Sequence, residues 1–112
     1  MKAYRGDIVY LTEDACRRFP RSSTWASRRP FLVVSNDIGN EYGSIIILVP
    51  LTMKHKAMHM PTHCEVGERA SVALCEQIYT VGQEDVSEIA WRASKYDMAI
   101  VDRCLRASLG LE

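Results

Sequence analysis

Two polar positions stand at corresponding ends of two apolar runs, and their chemistry suits an anion. Arg28 and Arg29 come just before the run Phe31 to Val34, and Thr52 closes the run Ile45 to Val49 followed by Pro50-Leu51. Both runs are short, dense in Val and Ile, and bounded by turn residues, as buried strands are. If the two strands are neighbours in one sheet, two cations and a hydroxyl come together on a rigid support. Such a set could hold a phosphate. Between the runs, Asn36-Asp37-Ile38-Gly39-Asn40 has the side-chain acceptors and the glycine that suit a connection.

The elements that must position these groups follow from the pattern along the chain. Gly6 to Leu11 reads as a first strand, and Thr12 to Arg29 as a long, arginine-rich loop in which Trp25 either pins the loop to the core or stacks on a partner. Thr62 to Val66 reads as a short strand. Ser71 to Cys75 and Gln77 to Val81 read as one bent strand or two. A helical turn is expected over Glu84 to Val86, and an edge strand over Glu88 to Ala93. Ser94 opens the clearest helix, with Asp97 three residues on in the manner of a capping box. Met98, Val101, Leu105 and Leu109 fall on one stripe, with Ile100 and Cys104 beside it. Arg103 and Arg106 favour the C-terminal end of the helix dipole, and Gly110 suits its termination. The expectation is one mainly β domain, residues 1–112, with a C-terminal helix packed on it.

Composition narrows the function. With 112 residues, 47% apolar and 25% charged, the chain suits one globular core. Formal net charge is zero, so it is no polycation. Five arginines (Arg17, Arg18, Arg21, Arg28 and Arg29) nevertheless lie between Cys16 and Arg29 with no acid among them, a local patch suited to phosphates. No apolar run approaches the ~20 residues of a membrane span, and no apolar leader follows a basic start, which points to the cytoplasm. Cys16, Cys64, Cys75 and Cys104 form no C-x-x-C pair and read as buried free thiols. His55, His59 and His63, spaced by four with Cys64 adjoining, would share a helix face suited to zinc, but Pro61 breaks any such helix.

Six segments in order resemble one known family: Arg5-Gly6-Asp7-Ile8-Val9, Arg29-Pro30, Val33 to Asn40, Pro50-Leu51-Thr52, Pro61-Thr62-His63 and Leu74 to Thr80. They are similar to the MazF/PemK toxins, endoribonucleases of bacterial toxin–antitoxin pairs, over nearly the whole chain. The resemblance implies a small SH3-like β-barrel with a C-terminal helix, working as a homodimer. It implies metal-independent, cofactor-free cleavage of single-stranded RNA by attack of a ribose 2′-OH, leaving 2′,3′-cyclic phosphate and 5′-OH ends, and a cognate antitoxin that covers the groove. Arg29 and Thr52 match the family's catalytic pair. Asn36 and Gln77 match family positions where an amide reads base edges or holds a loop. Arg17, Arg18, Arg21 and Arg28, with Lys54 and Lys56, are candidate RNA phosphate contacts on charge alone. One departure stands out: Arg21 to Ser27 replaces the family's usual Gly-Ser-Glu-Gln-like loop. The cleavage sequence is therefore not carried over. Two alternatives remain: a CcdB-type toxin that binds DNA gyrase and cleaves nothing, and a degenerate, non-catalytic family member.

Overall fold

A computed structural model describes residues 1–19, 29–53, 60–67 and 71–111. Seven strands form the sheet: β1 (Asp7–Leu11), β2 (Phe31–Val33), β3 (Ile45–Thr52), β4 (His63–Val66), β5 (Ser71–Leu74), β6 (Tyr79–Gly82) and β7 (Val86–Arg92). Among the described residues three helices join them: α1 (Glu13–Cys16), α2 (Asp37–Tyr42) and α3 (Lys95–Leu109), with a 3-10 turn over Gln83–Asp85. All pairings are antiparallel, in the order β4-β5-β3-β2-β1-β7, with β6 also on β3.

The expected barrel is not closed. Among the described residues no pairing joins β7 to β4, and the sheet branches at β3 instead. Ile45 to Leu48 pair with β6, whereas Leu51 and Thr52 pair with β5. Pro50 sits at that handover. Its ring removes a backbone donor, which an interior strand ordinarily cannot spare. Leu51 N–H and Val34 N–H bond across the β2–β3 ladder, to Pro30 and Ile47 oxygens, so Pro50 nitrogen points the other way, into the gap between β6 and β5. The proline is tolerated because, among the described residues, no strand partner awaits its donor there. Register shifts in the β1–β7 pairing bend the sheet further.

Both faces of the central strands are buried. Val9, Phe31, Val33, Ile46 and Leu48 face one cluster, closed by Cys16 and Phe19 around α1. Ile8, Leu32, Val34, Val49 and Leu51 face a second, under α3 and the β4–β5 hairpin. This explains the unbroken apolar runs of β2 and of Leu48 to Leu51; in the first half of β3 burial alternates, with Ile45 and Ile47 exposed. Cys64, Cys75 and Cys104 lie in the second cluster and all four cysteines are free and buried. Burial and the neighbouring Cys64 thiol push Cys104 up to about 11, so this sulfur is a packing group at neutral pH.

Several local expectations are corrected. The Asn36 to Asn40 connection is helical: Asn36 caps α2, accepting from Gly39 N–H at 2.7 Å. Thr12 caps α1 within the segment expected to be loop. Ser94 does cap α3, but Asp97 does not return a bond to it; the Asp97 carboxylate accepts from Gly67 N–H at 2.9 Å. Gly110 ends the helix with φ of 71°. The apolar stripe outruns the core, since Leu109 is 58% exposed. Ser71 to Val81 makes two strands, separated by the turn before Tyr79.

Asp37 ties α2 to the start of the chain. Its carboxylate accepts from Arg5 N–H at 2.7 Å and from Asn40 Nδ2 at 3.0 Å. The Arg5 bond chiefly holds its pKa below the ordinary value; burial opposes the shift and Asn40 adds to it. A depressed folded pKa gives stability that is present above the ordinary carboxylate value, roughly 3.9, and lost as pH falls through the lower folded value. The melting temperature should therefore drop on acidification below about pH 4, with a shallower drop in Asp37→Asn. Equal slopes in the two proteins would remove Asp37 from that dependence.

Candidate active site

The register of β2 against β3 positions the arginine and the threonine. Phe31 pairs with Pro50, Leu32 with Val49 and Val33 with Leu48. Leu51 N–H donates to Pro30 oxygen at 2.9 Å, which extends the same register one step beyond β2. One further step sets Arg29 opposite Thr52. Because Pro30 and Leu51 share the hydrogen bond, Arg29 and Thr52 occupy a non-hydrogen-bonded site, the kind in which facing Cβ atoms stand roughly 4.5–5.5 Å apart. Alternation puts both on the face of Phe31 and Pro50. Both are half-buried. On that face Phe19 stacks on Phe31, with ring centroids 5.4 Å apart, and meets Tyr79 edge-on at 4.6 Å. An aromatic floor thus stiffens the strand that carries the arginine.

Other candidates separate by position. Gln77 lies in the β5–β6 turn, its N–H bonded to Leu74 oxygen at 3.0 Å, beside the Pro50 handover and at the same end of the sheet as Arg29 and Thr52. Asn36 lies beyond the opposite end of β2. Its side-chain oxygen is committed to capping α2, though the residue stays exposed. Arg17 pairs with Asp14 at 3.4 Å and Glu13 at 3.8 Å, and Arg18 with Asp85 at 2.7 Å. The acids missing from the arginine-rich segment are supplied by α1 and the 3-10 turn, so these two cations carry less free charge than the sequence suggests. Arg21, Arg28, Lys54 and Lys56 lie outside the described residues, as do Trp25, His55 and His59. His63 pairs with Glu76, and no cluster of three metal-ligating side chains occurs among the described residues.

The sequence reading missed one residue that shapes this architecture. Gln83 is buried, and its amide bonds Ala3 N–H (2.8 Å), Ala3 oxygen (3.0 Å) and Asn40 oxygen (3.0 Å). No local signal marks it, because its partners lie far away in the chain.

Comparison with known proteins decides the kinship. The family described as PemK-like, MazF-like toxin of type II toxin-antitoxin system matches residues 4–109. The chain belongs to this family. A curated member with similar sequence, Endoribonuclease EndoA of Bacillus subtilis (strain 168), is 35% identical over 89 residues, covering 74% of this chain and 77% of EndoA. Among solved structures, an endoribonuclease from a mycobacterial species superposes with a TM-score of 0.78 at 19% identity, over 99% of this chain and 94% of the other. A MazF from Deinococcus radiodurans gives 0.73 at 20% identity, over 99% of both chains. At these identities the superpositions speak to the fold, which is MazF-like. Among the described residues, no helix is long and apolar enough to cross a membrane.

Proposed function

We propose that this MazF-like toxin is a sequence-specific, metal-independent endoribonuclease acting on single-stranded RNA. The observation that carries the reading is the register that faces Arg29 with Thr52 across the β2–β3 ladder. Family membership and the similarity to an endoribonuclease support it. The ribose 2′-oxygen attacks the adjacent phosphorus, its proton passing to a base, and the bond to the 5′-oxygen breaks as that oxygen takes up a proton. The products are a 2′,3′-cyclic phosphate and a 5′-OH end. Extra negative charge builds on the phosphoryl oxygens in between.

Arg29 suits that charge. A guanidinium offers forked donors matched to two phosphoryl oxygens, and its pKa above ~12 makes it a stabiliser rather than a proton carrier. Thr52, one residue across the ladder, donates its hydroxyl to the same oxygens. Strand-borne groups of this kind are preorganised, and each is worth roughly 10²–10³ in rate. Gln77, in the β5–β6 turn, serves to hold the strand, and Arg21, Arg28, Lys54 and Lys56 are phosphate contacts proposed on charge alone. The active form is a homodimer in the cytoplasm, neutralised by a cognate antitoxin; one of the mycobacterial relatives of this fold was solved in complex with its own antitoxin.

The test incubates purified protein with mixed-sequence single-stranded RNA in excess chelator and maps the fragment ends. Cleavage that leaves cyclic phosphates supports the reading; its absence in a folded protein moves a gyrase-binding or non-catalytic role ahead. In the same assay Thr52→Ala should lower the rate about 10²-fold, and Thr52→Ser should retain much more of it. Equal losses in the two variants would argue against a hydroxyl role.

A further inference from the structure

One motif residue has no part in the chemistry above, yet the structure fixes it with care. Glu76 lies in the β5–β6 turn, immediately before Gln77. Thr62 Oγ1 donates to its carboxylate at 3.0 Å, and His63 Nε2 lies 2.9 Å from a carboxylate oxygen. The imidazole is buried, its side chain only 8% exposed, while the Glu76 side chain keeps 39% of its surface open. Burial works against ionisation here. Hydrogen bonds from His63, from the Glu76 N–H and from Thr62 outweigh it and hold the carboxyl below its usual pKa. The turn therefore presents an ionised, immobilised carboxylate to solvent.

Its place in the sheet relates it to the candidate active site. His63 pairs with Leu74 across β4–β5, and the β5–β3 pairing of Ala73 with Leu51 brings Leu74 level with Pro50. Strand alternation puts His63, Leu74 and Pro50 on one face, which is the face of Arg29 and Thr52. Cys64, Ala73 and Leu51 take the other, buried face. His63 stands two inter-strand spacings from β3, roughly 10 Å. An RNA strand whose reacting phosphate lies between Arg29 and Thr52 has its neighbouring nucleotides within reach of this turn.

We propose that Glu76 is a specificity-determining residue that accepts a hydrogen bond from the exocyclic amino group of one unstacked nucleobase, with Thr62 and His63 as positioning residues. This rests on the ribonuclease reading. A carboxylate has about four acceptor sites and no donor. Among the described residues Thr62 and His63 bond it, and the open part of the carboxylate keeps acceptor capacity for a ligand. The amino groups of cytosine, adenine and guanine can fill it, whereas uracil has none and turns carbonyl oxygens toward the negative charge. Once the bound strand covers the carboxylate, a base that leaves its acceptor unmet is rejected.

The experiment maps cleavage of a randomised single-stranded RNA pool by the wild type, Glu76→Gln and Thr62→Val, with thermal melts of all three. The wild type should require an amino-bearing base at one position near the cut. Glu76→Gln should admit uracil there, with discrimination falling roughly ten-fold, and leave preferences elsewhere in the site unchanged. Thr62→Val should weaken the same position to a smaller degree, and it carries the test if Glu76→Gln does not fold. An unchanged profile in the variants, or a rate loss uniform over all sequences, would overturn the role of Glu76 alone. No cleavage by folded wild-type protein would overturn the ribonuclease reading and this role with it.

Discussion

Arg29→Ala should abolish RNA cleavage, by at least 10²–10³-fold, while the protein folds as before. The guanidinium is the matched partner for a phosphorus that gains negative charge, and alanine leaves that charge to water. The strand pairing beside it does not depend on the side chain, because the flanking bond runs from Leu51 N–H to the Pro30 oxygen. Arg29→Lys keeps the charge and loses the fork, so it should recover only part of the rate. Rates on a cleavable RNA, taken together with thermal melts, check this. Full activity in a folded Arg29→Ala protein would remove the residue from the mechanism.

Gln83→Ala should cost about 3 kcal/mol or more of unfolding free energy. Three backbone groups, the Ala3 N–H and the carbonyls of Ala3 and Asn40, rely on this buried amide. Each loses a partner, and a buried unsatisfied group costs about 1–3 kcal/mol. The bonds bind the N-terminal segment to α2 and to the corner between β6 and β7, so no nearby group is placed to replace them. Gln83→Glu keeps the acceptor for Ala3 N–H but loses both donations and should also destabilise. Urea unfolding measures the effect. A loss under about 1 kcal/mol would mean that water or a small shift satisfies the three groups.

The strands were legible because their signal is local. Ile8-Val9, Phe31 to Val34 and Ile45 to Val49 are apolar runs rich in Val and Ile, and the two core clusters take residues from both faces of the central strands. Helix α3 was legible for the same reason, from Ser94 as its cap to Gly110 as its stop. Helix α2 was not: Asn36, Asp37, Gly39 and Asn40 are turn formers, and only the Asn36 cap with the Asp37–Arg5 bond makes them helical. The capping-box reading of Asp97 failed because a distant glycine, Gly67, competes for the carboxylate. Arg29 and Thr52 could be singled out from strand ends and motif resemblance, but their opposition is a matter of register. The pinning of Glu76 by His63 and the ties of Gln83 are non-local, and no window of sequence contains both partners. The neutralisation of Arg17 and Arg18 was missed because charge was counted along the chain, whereas α1 and Asp85 bring the acids in space.

The pairing of β1 with β7 bears on how the toxin comes into being. Strand β1 lies between β2, which follows some twenty residues later, and β7, whose Arg92 meets Asp7 across almost the whole chain. Contacts so distant in sequence close late and slowly, because chain entropy must be lost before they form. During synthesis one edge of β1 therefore stays open until β7 has emerged. The sheet that supports Arg29 and Thr52 is complete only once β7 has been made. A growing chain is thus vulnerable to mispairing before it is dangerous to RNA, and a partner that captures β1 or β7 at that stage would prevent the toxin from assembling at all.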